Sequence, residues 1–242
     1  MSNEIRRELA ALYRLAHHYG WTDLTSTHIS ARLPDDPMHY LLNSHDLMFD
    51  EITASNLTRM SFDGKAVDDT PDRGRIINLA GHIIHSGILA ARPDVNFVIH
   101  SHTRAGVAVS AMPGGLLPLS QHAGFVLGTL SNHPYQDSTA VENEGALLAR
   151  DLGDNFAMLL QNHGLLVVGR TAAEAFVYHY YLEMACKIQV DILAGTDEPV
   201  RITDDAMEAL LVWGAPENGP HGQTQWPSLL RMLDRTVPDF RT

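Results

Sequence analysis

Two histidines one residue apart, His100 and His102, close an apolar, β-prone run that begins near Asp94. Side chains alternate across a strand, so a strand over 94–103 places both imidazoles on one face and the apolar residues Phe97 and Ile99 on the other. Two imidazoles on one face can converge on a single metal ion. An isolated His-x-His pair is more often two polar residues at the end of a half-buried strand. A third histidine in a matching context is needed to reverse that interpretation.

A third histidine occurs in such a context, between two apolar runs at 156–160 and 165–168. The break between them, Asn162-His163-Gly164, is typical of a tight hairpin or a sharp strand connection. Three neutral imidazoles with an open position indicate a catalytic divalent metal site, because structural zinc sites usually close the fourth position, often with thiolate. The chain has a single cysteine, Cys186.

Several further motifs surround these histidines in a fixed order: Gly81-His82-Ile-Ile-His85, Ala91-Arg-Pro-Asp94, His100-Ser-His102 and Gln161-Asn-His163-Gly164. With them the chain, from about Glu4 to about Gly195, resembles the class II aldolase/adducin family. The resemblance implies an α/β fold with three α/β/α layers, a mostly antiparallel central sheet, and a homotetramer with active sites near subunit interfaces. The family's metal positions fall on His100, His102 and His163. One divalent ion per subunit is therefore expected, zinc first, with manganese, iron or cobalt as alternatives.

The chain departs from the sugar-phosphate aldolases of that family at the positions that hold phosphate. Those enzymes carry two serines for the phosphate and a glutamate that acts as acid/base, where this chain has Leu79-Ala80-Gly81. Two other phosphate-binding segments of the family fall on Thr27 to Arg32 and on His45-Asp46. A tyrosine that donates a proton in those aldolases aligns with His122. The resemblance thus implies a site without a phosphate pocket and with additional histidines.

Histidines at these positions suit a smaller anionic or aromatic substrate, since imidazole binds carboxylate or phenolate and relays protons near neutral pH. For each of them a structural hydrogen bond is the alternative. The acid/base candidates are His122, His28 and His82. The substrate-binding candidates are His45, Arg32 and Ser30; Arg32 and Arg75 suit a bidentate carboxylate contact, although surface salt bridges explain both arginines equally well. His85 is interpreted as structural, and no role is assigned to His17, His18, His39, His133, His179 or His221.

Composition restricts the class of protein further. The formal charge of −12, with 29 acidic and 17 basic residues, argues against a nucleic-acid partner. No apolar stretch approaches the roughly 20 residues that cross a bilayer, and no apolar signal segment follows the N-terminus. A single cysteine favours the cytoplasm. We expect one domain over residues 1–242, with a less regular C-terminal extension from about residue 196.

Periodicity and capping signals predict the order of the elements. Helices are expected over 4–19 and about 78–90, with two later ones starting at the capping boxes of Thr139 and Thr171, the second reaching about Leu193. Strands are expected over 28–32 and 38–43, and a hairpin at Asp63-Gly64.

These expectations favour a metal-dependent carbon–carbon lyase that acts on a small acidic substrate, a non-phosphorylated oxo-acid or a hydroxylated aromatic acid. Decarboxylation and retro-aldol cleavage both remain open, although the first depends less on the missing glutamate. A non-haem iron oxygenase of the same fold and a non-catalytic, adducin-like scaffold are the alternatives. The motifs of dinucleotide-binding, Walker-loop, zincin and serine-hydrolase proteins are absent from the sequence.

Overall fold

The computed structural model describes residues 2–67, 76–136 and 141–242. Two sequence predictions lie outside these ranges: the carboxylate contact of Arg75 and the capping box at Thr139. Within the described ranges no helix is both long and apolar enough to cross a membrane.

A seven-stranded sheet forms the centre of the described structure, in the order β3-β2-β1-β4-β7-β6-β5. All neighbouring strands run antiparallel except β5 and β6, which are parallel. The mostly antiparallel sheet is therefore confirmed. The strands are β1 (His28–Arg32), β2 (His39–Leu42), β3 (Thr58–Ser61), β4 (Phe97–Ser101), β5 (Leu130–His133), β6 (Ala157–Leu160) and β7 (Gly164–Gly169).

Helices cover both faces of this sheet. The described helices are α1 (Ser2–His18), α2 (Leu79–Ala91), α3 (Arg104–Ser110), α4 (Gln121–Leu127), α5 (Val141–Leu152), α6 (Ala172–Gly195), α7 (Asp204–Gly214) and α8 (Trp226–Thr236). Helices α2 and α5 pack on each other over one face, while α6 packs on β4 and β7 over the other, together with α1 and α3. The expected three-layer α/β/α arrangement is confirmed.

One edge of the sheet collects the ends of several strands. Because β4 and β6 run in the same direction and β5 is parallel to β6, all three end there, and β1 begins there. The register pairs His28 with His100 and His133 with Leu160. Residues paired across strands project to the same face, so the three histidines share the face that α2 and α5 cover. We call this edge the histidine edge.

Helices α2 and α5 approach each other to backbone contact. A Cβ atom at Gly87 of α2 would lie 2.5 Å from the Cα atom of Gly145 in α5, so neither position has room for a side chain. Helix α2 begins as predicted, since the Asn78 side chain accepts a hydrogen bond from the Gly81 N–H. The two glycines fix the distance between the helices above the histidine edge.

Three local features differ from the sequence prediction. Strand β4 ends at Ser101, so His102 follows the strand, because Thr103 already caps α3 by accepting from the Gly106 N–H. Helices α3 and α4 were not predicted from the sequence. Thr171 caps α6 as expected. The Glu174 carboxylate, which in a capping box accepts from the backbone N–H of the cap residue, here accepts from Arg170.

The C-terminal segment packs on the rest of the described structure through its first helix. Beyond residue 196 the chain forms α7 and α8, and the Tyr178 hydroxyl of α6 donates to the Gly214 carbonyl at the end of α7. In α4, a Cβ atom at Gly124 would meet the Leu210 side chain at 2.6 Å, so α7 lies directly on α4. The extent of the domain stays a prediction.

Candidate metal centre

Three histidines meet at the histidine edge and present their Nε2 atoms to one another. The Nε2 atom of His102 lies 2.9 Å from that of His100 and 3.0 Å from that of His163. Among the described residues this is the cluster of His, Cys, Asp and Glu side chains that offers converging ligand atoms for a metal ion. We refer to His100, His102 and His163 as the histidine triad.

The opposite ring nitrogens of two triad members are held from outside. The His100 Nδ1–H donates to the Leu165 carbonyl on β7, over 3.0 Å. The His102 Nδ1 lies 3.0 Å from a carboxylate oxygen of Asp23. A donor bond at Nδ1 fixes the tautomer in which Nε2 carries the free lone pair, which is how metal-binding histidines are usually oriented.

His163 is placed by a strained connection between β6 and β7. Asn162 adopts a positive φ of 56°, and Gly164 follows with a φ of 155°. A Cβ atom at Gly164 would lie 2.2 Å from the Ser101 carbonyl oxygen, so only glycine permits this approach to β4. The connection brings His163 beside the end of β4, as the Asn-His-Gly break predicted.

Burial favours the neutral form of two triad members, His100 and His163. Burial lowers the pKa of His100 well below its usual value, and the neighbouring histidines lower it further. Burial, followed by the proximity of His102, lowers the pKa of His163 to about 4. Neutral imidazoles with converging Nε2 atoms suit a divalent transition metal such as zinc. The residues present thus fit the expected ion.

Behind the triad, three side chains form a buried hydrogen-bonded row. The His28 ring lies 5.0 Å from that of His100, and its Nδ1 is 2.8 Å from the His85 Nε2. The His85 Nδ1 lies 2.5 Å from the Ser30 hydroxyl oxygen. His28, an acid/base candidate, thus lies beside the triad, whereas Ser30, a substrate-binding candidate, lies behind His85. A Cβ atom at Gly81 would come within 2.8 Å of the His28 ring.

Two further candidates, His45 and His82, make hydrogen-bond contacts outside this row. The His45 Nδ1 is 3.1 Å from the Thr25 carbonyl oxygen and 3.4 Å from the Asn78 amide nitrogen. His82 turns away from the triad, because its Nδ1 lies 2.7 Å from the Tyr40 hydroxyl. The acid/base role predicted for His82 stays a prediction, and its observed partner is Tyr40.

Arg32 is the clearest correction to the predicted site. It ends β1 at the opposite edge of the sheet, and its guanidinium donates to the carbonyls of Leu89, Arg92 and Val95. A cation at the C-terminal end of α2 satisfies carbonyls that the helix leaves free. In this structure Arg32 therefore supports the end of α2 and lies away from the triad.

His122 lies in the first turn of α4. Its ring lies 5.4 Å from that of Tyr181 on α6. The contacts found for it in the described ranges do not join it to the triad.

A cavity of about 240 Å³ lies beside the triad, between the sheet, α2 and α5. It is lined by Ala80, His133, Pro134, Tyr135, Gln136, Glu144, Leu148, Leu160, Gln161 and His163. Ala80 stands where the family's sugar-phosphate aldolases have a phosphate-binding segment. Of the triad, His163 lines this cavity.

Sequence interpretation missed Asp23 and His133. Asp23 lies 79 positions from His102, and a lone aspartate in a loop carries no local signal. His133 ends β5, in which it follows Leu130, Ser131 and Asn132, so no apolar alternation marked it in the sequence.

Comparison with known proteins places the chain in a family. Residues 7–190 match the Class II Aldolase and Adducin N-terminal domain. An aldolase II superfamily protein from Pseudomonas syringae is 42% identical, with a TM-score of 0.92 over 100% of this chain and 96% of that one. An L-fuculose 1-phosphate aldolase from Glaciozyma antarctica PI12 is 27% identical, with a TM-score of 0.86 over 99% and 92% of the two chains.

Adducins also match. Alpha-adducin from Rattus norvegicus is 39% identical over 246 residues, which cover 95% of this chain but 33% of that protein. The similarity therefore concerns about a third of the adducin. Since one family model spans most of the chain, and a relative of nearly equal length agrees in sequence and fold, the chain belongs to the class II aldolase/adducin family.

Proposed function

We propose that this chain is a divalent-metal-dependent carbon–carbon lyase, a decarboxylase or retro-aldolase, that acts on a non-phosphorylated oxo-acid or hydroxylated aromatic acid. The observation that carries the proposal is the convergence of three histidine Nε2 atoms. Two of these rings are held at the opposite nitrogen, His100 by the Leu165 carbonyl and His102 by Asp23. A bound divalent ion acts there as a Lewis acid towards substrate oxygen. The proposed ion is zinc, with manganese, iron or cobalt as alternatives.

The side chains around the triad suit a small acid. The cavity beside His163 combines apolar walls with the amide of Gln161, and its volume of about 240 Å³ fits a compact molecule. The Glu144 carboxylate disfavours a second carboxylate at its own end of the cavity. The substrate carboxylate is therefore expected to lie towards the triad.

Phosphorylated sugars are poor candidates, despite the relative named L-fuculose 1-phosphate aldolase. Ala80 supplies no hydroxyl donor. The His28 ring fills the space that any side chain at position 81 would need. A phosphate without donors loses much of its binding free energy. Metal-loaded protein is expected to leave L-fuculose 1-phosphate uncleaved, as an aldehyde-release assay would measure; efficient turnover would contradict this part of the proposal.

His122 is proposed to act from a neighbouring subunit of a homotetramer, since its contacts within one chain are with Tyr181. The proposed enzyme is cytoplasmic and needs neither nucleic acid nor membrane. His28 is the second acid/base candidate, because it lies beside His100. Native mass spectrometry measures the assembly. His122→Gln is expected to lower turnover while metal content stays complete, and wild-type turnover in this variant would remove His122 from the mechanism.

The adducin match favours a second candidate, a non-catalytic scaffold. Elemental analysis separates the two, because a scaffold has no need of stoichiometric metal at the triad. The main experiment is a screen of 2-oxo acids and dihydroxybenzoic or phthalic acids for released carbon dioxide or aldehyde. Oxygen uptake is recorded in parallel. Stoichiometric oxygen consumption would replace the lyase with an iron oxygenase.

A further inference from the structure

A second histidine–carboxylate pair lies at the histidine edge, outside the triad. The His133 Nδ1 lies 2.7 Å from a carboxylate oxygen of Asp151, which α5 holds above the sheet. His133 is 4% exposed. Its Nε2 is buried and finds no hydrogen-bond partner within the described part of the chain. A buried ring nitrogen without a partner costs free energy, so its retention needs an explanation.

The position of His133 relative to the triad follows from the sheet. His133 ends β5 and pairs with Leu160, the last residue of β6, and His163 lies in the connection that follows β6. His133 also lies on the same sheet face as His100, because the pairings across β6 and β7 preserve the face. Neighbouring strands are about 4.8 Å apart, so the two histidines flank one space. That space is the cavity of about 240 Å³, which both residues line.

The partner of Nδ1 fixes what Nε2 can do. Asp151 accepts from the Nδ1–H, so in the neutral ring Nε2 carries a lone pair and accepts hydrogen bonds. A carboxylate that holds one ring nitrogen also stabilises the positive ring after the other nitrogen gains a proton. The arrangement is that of a general base with its orienting partner.

We infer that His133 is a catalytic base of the proposed lyase, and that its Nε2 takes the proton from a hydroxyl group of the substrate. This inference rests on the function proposed above. The substrate class is then a non-phosphorylated 4-hydroxy-2-oxo acid, cleaved by a retro-aldol reaction.

The proton balance of that reaction closes within the site. The hydroxyl proton moves to the His133 Nε2, the hydroxyl oxygen forms a carbonyl, and the bond between C3 and C4 breaks. The electron pair stays on C3, conjugated with the 2-oxo group. The proton on Nε2 then passes to C3, which yields pyruvate and an aldehyde, with His133 neutral again. No oxidant or further reactant is needed.

The His133–Asp151 pair would supply the base that the missing glutamate provides in the family's sugar-phosphate aldolases. Decarboxylation removes no hydroxyl proton, so a basic residue in the lining of the cavity has no task in its first step, whereas retro-aldol cleavage cannot start without a base. At position 81 a carboxylate would collide with His28, so a base must come from another element. His133 comes from β5, on the side of the cavity opposite α2.

The test uses zinc-loaded full-length protein, 4-hydroxy-2-oxobutanoate, and 2-oxobutanoate, which lacks the hydroxyl group. Wild type, His133→Gln and Asp151→Asn are compared with His39→Gln. His39 is a matched control, because it pairs with Asp36 at the same distance of 2.7 Å but on β2. Zinc content, binding of both acids by calorimetry, and release of formaldehyde are measured.

We expect wild type and His39→Gln to bind the hydroxylated acid at least about tenfold more tightly, and His133→Gln to lose that preference. Formaldehyde release should fall roughly 100-fold or more in His133→Gln, while zinc content stays complete. Asp151→Asn should lower release without loss of zinc, and nitrogen NMR should show a changed His133 tautomer. This variant carries the test if His133→Gln does not fold.

Each contrary result is distinct. Unchanged preference and release in the folded variants, or equal binding of both acids by wild type, would refute the role of His133 and leave the metal-dependent lyase standing. Failure of wild-type, zinc-loaded protein to bind either acid would refute both the inference and the oxo-acid substrate proposed above.

Discussion

The two edges of the sheet carry different nitrogen-bearing side chains. At the histidine edge, buried imidazoles face one another and a cavity. At the opposite edge, which we call the arginine edge, Arg32, Arg92 and Arg170 donate to main-chain carbonyls and carboxylates. Arg92 alone reaches the carbonyls of Gly153 at 2.6 Å and Asn155 at 2.9 Å. Arginine keeps its charge at any working pH, whereas buried histidine loses it. Permanent charge holds main-chain carbonyls at the arginine edge, and uncharged ring nitrogens are available as metal ligands at the histidine edge.

The largest effect should follow removal of a triad member. His100→Ala and His163→Ala are each expected to weaken zinc binding roughly 100- to 10,000-fold, if three or four ligands share the total of about 10–16 kcal/mol typical of protein zinc sites. Elemental analysis after dialysis against a weak chelator measures the loss. Full zinc content in both variants would remove the triad as the metal site, and His39→Ala should behave as wild type.

At the arginine edge the expected effect is on stability alone. Arg92→Met leaves two carbonyls without their donor, at about 1–3 kcal/mol each when buried, so the free energy of unfolding should fall by about 3 kcal/mol. Zinc affinity should not change. Urea denaturation and zinc titration of the same preparation check both statements, and a variant that lost zinc would show that the edges are not independent.

A smaller effect is expected at the support of the triad. Asp23→Asn keeps the shape of the side chain but removes the charge that orients His102. Losing such a partner costs about 10- to 100-fold in metal affinity, and Asp23 is half exposed, so we expect roughly tenfold. Competition with a fluorescent chelator measures the change. An unaltered affinity would mean that the backbone alone orients His102.

The smallest expected effect is a loss of folding stability at acidic pH. Burial lowers the pKa of His85 to about 3 in the folded protein. The unfolded chain, with an ordinary histidine pKa, binds the proton first, so stability is complete above about pH 6.5 and falls as pH drops towards 3. Between pH 7.0 and 5.5, His85 should contribute a loss of about 1 kcal/mol. Urea denaturation of metal-free wild type and His85→Gln measures this, and equal losses in both would contradict it.

Sequence patterns predicted the parts of the molecule that local physics determines. The alternation in 97–101 gave β4, and the Asn-His-Gly break gave the turn that presents His163. They could not predict at which edge a strand residue would lie. Arg32 and His28 share one strand, yet lie at opposite edges.

Contacts between distant residues explain the other differences. Asp23 contacts His102 across 79 positions of sequence. Asp151 lies on α5 and contacts His133 at the end of β5. His82 and His85 share the apolar α2 and differ in their partners, Tyr40 for the first and Ser30 for the second. Only the packed sheet and helices determine such partners.

The backbone contact between Gly87 and Gly145 makes α2 and α5 one mechanical unit. Helix α2 carries His85, which supports His28, and α5 carries Asp151, which supports His133. The two helices therefore cover the cavity as one rigid pair. A substrate too large for the cavity would have to move both helices together. That movement would displace the partners of His28 and His133 at the same time.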